Sequence, residues 1–162
     1  MPERKTIERA REDAREGKSA STQAGEFVRE EIHHIREGKH GASSPQQAIA
    51  IGLSKARRAG VRLAPPAKGK TSAKVRDRAR RDNRRGRKRA SGKPSPRRSR
   101  ATLGALRKEG ASAASHKSLS RQAAASAKRR GASARRQAAM RGVRTKSAAV
   151  RTAAKKAARP RG

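Results

Sequence analysis

The chain has 162 residues and a formal net charge of +34, with 46 Lys and Arg against 12 Asp and Glu. Ile, Leu, Val and Phe together occupy only sixteen positions, well under the roughly one fifth below which highly charged chains tend to stay disordered. A single large hydrophobic core is therefore excluded. Cysteine is absent, which excludes disulfides and thiolate metal sites.

Charge divides the sequence into two parts. Residues 1–64 hold 13 basic and 9 acidic residues, whereas the rest of the chain holds 33 basic and only 3 acidic residues. The change falls at Pro65-Pro66, and proline pairs commonly mark linkers. The charge pattern predicts a helical module over residues 1–64, a linker and basic cluster rich in Pro, Gly and Arg over 65–100, and a basic Ala/Arg/Lys-rich tail over 101–162.

The first predicted helix, residues 3–16, interleaves Arg and Glu around one large apolar residue, Ile7. This pattern is typical of a solvated helix that is supported by charge pairs four residues apart. Gly17 follows the segment and is a common type of residue just after a helix C-terminus.

Two amphipathic helices are predicted next, at about 21–37 and 44–59. Ser21 or Thr22 can cap the first of them, and Ser44 followed by Pro45 is typical of a helix start. The short connection between them predicts an antiparallel hairpin. Its expected core is Phe27, Val28, Ile32, Ile35, Ile49 and Leu53. Because this core is small, we expect marginal stability, or self-association through the hairpin at residues 22–60.

The basic tail is predicted to be largely disordered but prone to form helices. Ala and Arg favour helices, whereas repulsion among the cations opposes them, and an acidic partner would relieve that repulsion. The helix-compatible stretches are 101–108, 117–130 and 133–158, the last broken at Gly142. Residues 76–89 form a dense arginine cluster and residues 91–98 are rich in turn-forming types. The predicted fold class is all-α.

Nucleic acid is the natural partner of such a tail. Each Lys or Arg that neutralises a phosphate releases condensed counterions, and the planar guanidinium of Arg binds phosphate through two hydrogen bonds. The predicted contact residues come from the densest basic clusters. They are Arg76, Arg78, Arg80, Arg81, Arg84, Arg85, Arg87, Lys88, Arg89, Arg97, Arg98, Lys128, Arg129, Arg130, Arg135, Arg136, Lys155 and Lys156.

Phe27 is the only aromatic residue, which argues against stacking on single-stranded bases and favours the backbone of double-stranded DNA. Ser95-Pro96-Arg97-Arg98 is similar to turns of linker-histone tails. We therefore expect sequence-independent DNA binding. Two alternatives stay open: an RNA-binding or ribosome-associated protein, and a protein-interaction module whose basic tail serves localisation.

No catalytic constellation is recognisable, so the sequence predicts neither an enzyme nor a small-molecule substrate, cofactor or metal site. His33, His34 and His40 fit no H-E-x-x-H pattern and are interpreted as solvated residues at a helix end. Three glutamates close to them, Glu30, Glu31 and Glu37, are interpreted as a solvated acidic face.

The location is expected to be the cytoplasm, and in a bacterium the nucleoid. The first five residues lead into no apolar stretch, so no secretory signal is predicted. No apolar run approaches eighteen residues, so no transmembrane helix is predicted either.

The amino-acid sequence of the N-terminal part resembles that of a family of small basic bacterial proteins. This family carries a domain of unknown function, and its members are often labelled DNA-binding. The resemblance covers about residues 3–66. It rests on Thr6-Ile7-Glu8-Arg9-Ala10, on residues 21–31 and 35–42, and on residues 47–61. The resemblance implies a DNA partner and no catalytic residues. The composition of the tail is also similar to that of bacterial histone-H1-like proteins.

Overall fold

The computed structural model describes residues 2–87 and 95–157, the last part mostly by its backbone alone beyond residue 144, and these residues form helices and no strand. The all-α class is confirmed. In chain order the helices are α1 (Arg4–Arg15), α2 (Ala20–Arg36), α3 (Pro45–Arg58), α4 (Ala73–Arg87), α5 (Pro96–Arg107), α6 (His116–Arg129) and α7 (Gly131–Ala157), with a short 3₁₀ turn at Ser112–Ala114.

Three helices were expected as ordered elements, and they correspond to α1, α2 and α3 within one or two residues at each end. Ser44 caps α3 by accepting a hydrogen bond from the Gln47 amide at 3.2 Å, as predicted. The cap of α2 differs, because the Ser19 hydroxyl accepts from the Thr22 amide at 3.3 Å. Ser19 has extended backbone dihedrals, whereas Ser21 and Thr22 already lie inside the first turn.

Helices α2 and α3 form the predicted antiparallel hairpin. Ile35 clusters with Ala48 near the connecting loop, and Phe27 clusters with Ala56 at the other end, so the order along the two helices is reversed. The backbones touch at Gly52, where an added Cβ would lie 2.7 Å from the Cα of Val28. Close contact of this kind lets two helices with few large side chains exclude water.

The core contains more alanine than expected. Of the six predicted core residues, Phe27 and Ile35 are fully buried, while the other four are half-buried. The rest of the buried apolar surface comes mainly from alanines on α1, α2, α3, the hairpin loop and the 3₁₀ turn: Ala10, Ala24, Ala42, Ala48, Ala56, Ala113 and Ala114. Alanine buries little area per residue, but it permits close helix packing.

The first compact unit runs to Leu119, well beyond the end of the charge-balanced segment at residue 64. Helix α4 packs on α3, with Ala79 and Asp82 buried. Gly86 lies so close to the end of α3 that an added Cβ would be 2.0 Å from the Arg57 carbonyl oxygen. Most of the arginine cluster at residues 76–89 is therefore a helix packed on α3; Lys88 and Arg89 lie outside the described residues.

Residues 106–114 also belong to this unit, because they close the loop end of the hairpin. The amide of Gly41 donates to the Leu106 carbonyl at 2.9 Å, and that of Ala42 donates to the Gly110 carbonyl at 3.2 Å. Arg36 Nε donates to the Ala114 carbonyl at 2.8 Å. Two chain segments far apart in sequence are thus joined by backbone hydrogen bonds.

The second compact unit comprises Ser120–Gly162 and includes the end of α6 and all of α7. Helix α7 continues through Gly142, so the break predicted there is wrong. A single glycine costs a helix only about 1 kcal/mol, which neighbouring helix formers can offset. Disorder of the free tail stays a prediction. None of the helices that the structure describes has the length and the apolar run needed to cross a bilayer.

Gly52→Ala should destabilise the hairpin, because the new methyl group would collide with backbone atoms of α2. We expect a loss on the order of 1–3 kcal/mol in the free energy of unfolding, measured by urea denaturation followed by far-UV circular dichroism. Gly25→Ala is the matched control, since nothing lies within 4 Å of its added Cβ. It should be neutral or stabilising. Equal stability of the two variants would contradict the close crossing.

Candidate nucleic-acid interface

The acidic residues are largely occupied by contacts within the protein. Of the 12 Asp and Glu, nine have a carboxylate within 4.0 Å of a basic group. Three of them are buried, namely Glu30, Glu31 and Asp82. Neutralising these carboxylates takes only a small part of the 46 Lys and Arg. The surface potential of the chain is therefore set by its remaining cations.

Helix α4 presents two rows of cations. Lys74, Arg78, Arg81 and Arg85 follow each other at steps of three or four residues, and all four are exposed. A second exposed row consists of Arg80, Arg84 and Arg87. Residues at these steps share one side of a helix, and the first row spans about 16 Å at 1.5 Å per residue. The predicted contact residues Arg78, Arg81 and Arg85 thus share one exposed face of α4, and Arg80, Arg84 and Arg87 share a second exposed face about a third of a turn away.

The opposite side of α4 is anchored by polar contacts as well as by small residues. The hydroxyl of Ser54 donates a short hydrogen bond to the buried Asp82 carboxylate, and Arg58 Nε lies 3.8 Å from the same group. Asn83 Nδ2 donates to the Leu63 carbonyl at 2.9 Å. These contacts fix the rotation of α4 about its axis, and so fix which side carries the arginines.

Arg57, in the last turn of α3, has a structural role. Its guanidinium is buried and donates to the carbonyls of Leu63 and Ala64 at 3.4 and 3.3 Å. Burial lowers the pKa of Arg57, although the nearby charge of Asp82 acts in the opposite direction. Arg57 therefore belongs to the fold and is not available to a ligand.

Arg76 differs from the other predicted contact residues of α4. It is half-buried, and its Nε is shielded from solvent and has no hydrogen-bond partner among the described residues. Sequence reasoning grouped it with its neighbours because all of them are arginines. Arg76 lies one helical turn before Arg80, in line with the second row, but its partial burial makes it a poorer candidate for phosphate contact than the exposed arginines.

Helix α5 adds a smaller set of cations. The predicted turn at Ser95-Pro96-Arg97-Arg98 is instead the start of this helix, with Pro96 in its first turn. Proline fits there because the first turn leaves amides unpaired in any case. Arg97 and Arg98 are exposed, and so is Arg100, which the sequence reading missed. Positive charge at a helix N-terminus is unfavourable for the free helix and favours a bound anion.

The second unit carries its own basic cluster where α6 ends and α7 begins. The predicted contact residues Lys128, Arg129, Arg130, Arg135 and Arg136 are all exposed there. Lys155 and Lys156 lie in α7, where only the backbone is described. The side chain of Phe27, the one aromatic residue, is 1% exposed and offers no platform for a base.

A buried charged cluster was missed by the sequence reading, which placed its members in solvent. Glu31 is 0% exposed and Glu30 is 7% exposed. Lys55 Nζ lies 2.5 Å from Glu31 Oε2 and 3.4 Å from Glu30 Oε1. The signal was available: Glu31 stands four residues from both Phe27 and Ile35, in the middle of the apolar stripe of α2.

Two of the three histidines near this cluster are also less exposed than predicted. The side chains of His34 and His40 are only 12% and 10% exposed, whereas His33 is solvated as expected, at 71%. His40 Nε2 lies 3.1 Å from Glu31 Oε1. His34 Nε2 lies 2.8 Å from Glu3 Oε1, and this hydrogen bond holds the pKa of Glu3 below its ordinary value.

The chain matches no protein-family model, and comparison with curated proteins and with solved structures gives no match either. The resemblance of residues 3–66 to small basic bacterial proteins accordingly stays a prediction.

Lys55→Ala should strongly destabilise the module, because it leaves two buried carboxylates without their ammonium partner. Breaking a buried ion pair costs about 3–5 kcal/mol, enough to unfold a module with so small a core. The measurement is urea denaturation followed by circular dichroism. Lys18→Ala is the control, since it removes a cation from the solvent-exposed pair with Asp13; it should leave the midpoint nearly unchanged. Similar midpoints for both variants would contradict the role of Lys55.

Proposed function

We propose that the protein binds double-stranded DNA without sequence preference, through contacts of exposed Lys and Arg with the phosphate backbone. In the cell this would be the role of a nucleoid-associated or histone-H1-like accessory protein. The observation that carries the proposal is the pair of cation rows on α4, whose opposite face is packed on α3. The exposed cations of α5, α6 and α7 would add further phosphate contacts.

A packed helix supports this proposal better than a free polycation does. Arginines on a helix that is already ordered lose less conformational freedom on binding than arginines on a flexible chain. A single helix also fits the major groove of B-form DNA, which is about 12 Å wide. The outward rows consist of Lys and Arg, side chains that bind phosphate oxygens and so position a protein on the duplex.

We favour double-stranded over single-stranded nucleic acid because no aromatic side chain of the chain is exposed. Proteins that bind single strands stack bases on aromatic side chains. This chain has one aromatic residue, Phe27, and it is buried. Structured RNA shares the phosphate backbone and is the alternative ligand. A protein-interaction role for the hairpin, with the basic residues used for localisation, predicts instead only weak binding to either nucleic acid.

Salt dependence is the first test. The full-length chain is titrated into two labelled duplexes of unrelated sequence and into a structured RNA, by fluorescence anisotropy, from about 50 to 200 mM salt. If about eight phosphates are neutralised, affinity for DNA should fall roughly a thousandfold or more over this range. The two duplexes should bind alike. A tenfold or larger preference for the RNA, or a clear preference between the duplexes, would contradict the proposal.

A charge-removal experiment locates the interface. Changing Lys74, Arg78, Arg81 and Arg85 to Gln removes the first row of α4 and keeps a helix-favouring side chain. The slope of log affinity against log salt should become shallower by about 3–4, near 0.9 for each lost phosphate contact.

The matched control removes four exposed cations from α1 by changing Arg4, Lys5, Arg11 and Arg15 to Gln. It gives the chain the same net charge as the α4 variant and should change the slope much less. An equal change of slope in both variants would mean that the chain binds as a general polycation and not through α4.

A further inference from the structure

Glu31, His34 and His40 form a compact group of metal-ligand types, here called the His/Glu cluster. One carboxylate oxygen of Glu31 and one ring nitrogen of each histidine lie within 4.8 Å of one another. Glu31 and His34 are one helical turn apart on α2, and His40 comes from the loop between α2 and α3. The sequence could not indicate this group, because the loop brings His40 back against the helix.

The ring of His40 is oriented as in a metal ligand. Its Nδ1 lies 3.1 Å from the Gly41 carbonyl oxygen, which can only accept, so Nδ1 carries a proton and donates it. Nε2 is then directed at the buried oxygen of Glu31, 3.1 Å away. In protein metal sites the second ring nitrogen of a ligating histidine commonly donates to a backbone carbonyl or a carboxylate.

His34 repeats this pattern with a carboxylate. Its Nε2 lies 2.8 Å from Glu3 Oε1, the arrangement of a donor N–H on a carboxylate acceptor. This contact leaves Nδ1 as the other nitrogen, and Nδ1 lies 3.9 Å from Glu30 Oε1. Both histidines thus have one nitrogen held by an outer acceptor and the other directed towards buried carboxylates.

The charge of the surroundings favours a cation. Glu30 and Glu31 are buried, and Lys55 supplies one positive charge between them. When both imidazoles are neutral, Glu30, Glu31 and Lys55 together keep one excess negative charge in a poorly solvated place. A buried charge of this kind is costly unless another cation balances it. Within the part of the chain that the structure describes, neither oxygen of Glu31 accepts a hydrogen bond of good geometry, although Lys55 Nζ lies close to Oε2. A metal ion beside Oε1 would use the lone pairs of Glu31 and of both imidazoles.

We propose that the His/Glu cluster binds one divalent transition-metal ion, best suited to Zn²⁺, through Glu31, His34 and His40. Two imidazoles and one carboxylate are a ligand set that zinc accepts. The 3.1 Å between His40 Nε2 and Glu31 Oε1 suits two ligands that share an ion at about 2.0–2.1 Å from each. His34 completes the set by a modest movement of its ring.

The metal would have a structural effect on the hairpin. It would tie the loop at residues 38–43 to α2, and the same loop is hydrogen-bonded to Leu106 and Gly110. An ion at this place would therefore stabilise the attachment of residues 106–114 to the hairpin. The proposal does not depend on DNA binding and can fail or succeed separately from it.

The test uses the full-length protein, first freed of metal by a chelator and then titrated with Zn²⁺ and with Co²⁺. We expect one ion per chain by calorimetry, and visible absorption bands from bound Co²⁺. His34→Gln and His40→Gln should each weaken binding at least tenfold. His33→Gln is the matched control, since His33 is the exposed neighbour on the same helix; it should bind as the unchanged protein does.

A second measurement keeps the proposal testable if the variants do not fold. In unchanged protein with ¹⁵N-labelled histidine, the ring nitrogens of His34 and His40 should shift on addition of one equivalent of Zn²⁺. Those of His33 and His116 should not. Absence of stoichiometric binding, or shifts confined to His33 or His116, would overturn the proposal and leave the His/Glu cluster as an internal ion pair.

Discussion

The contact of Lys55 with Glu30 and Glu31 is the interaction on which the folded unit depends. The adjacent carboxylates of Glu30 and Glu31 on α2 are buried. Lys55 on α3 supplies the ammonium group that offsets the free-energy cost of removing them from water. The pair fixes how the two helices face each other. With that orientation set, Gly52 of α3 can lie against the backbone of α2, and alanines suffice for much of the remaining core.

The position of α4 follows from the same hairpin. The Ser54 hydroxyl of α3 donates to Asp82 of α4, and Gly86 lies so close to the Arg57 carbonyl that a side chain would not fit there, so α4 packs with one particular side against α3. An isolated helix with so many arginines would be opposed by their mutual repulsion. Packing on α3 offsets that repulsion and leaves the arginines outward. Buried carboxylates are paired inside the unit, while most of the cations of α4 stay on the surface.

The all-α class, the first three helices and the hairpin were predictable from the sequence. Interleaved charges indicate α1, apolar residues at helical steps indicate α2 and α3, and a glycine follows each of the three helices. The packing of α4 was not predicted, because its contact side, with Ala79 and Asp82 buried and Gly86 close to α3, holds no large apolar residue. The burial of Glu31 could have been predicted from its place in the apolar stripe of α2, whereas its ion-pair partner Lys55 could not, because Lys55 lies on another helix. The exposure of most predicted arginines was foreseeable from charge alone. The partial burial of Arg76 was not, because it depends on how α4 packs within the folded unit.

The most direct test of this account is hydrogen–deuterium exchange of the free, full-length protein, since the central claim is that the arginines of α4 belong to a folded unit. We predict that amides in the second half of α4 exchange slowly, with protection comparable to that of α3. Protection of α2 and α3 together with exchange of α4 at the rate of an unfolded chain would contradict the account. In that case the arginine cluster would be part of a flexible tail.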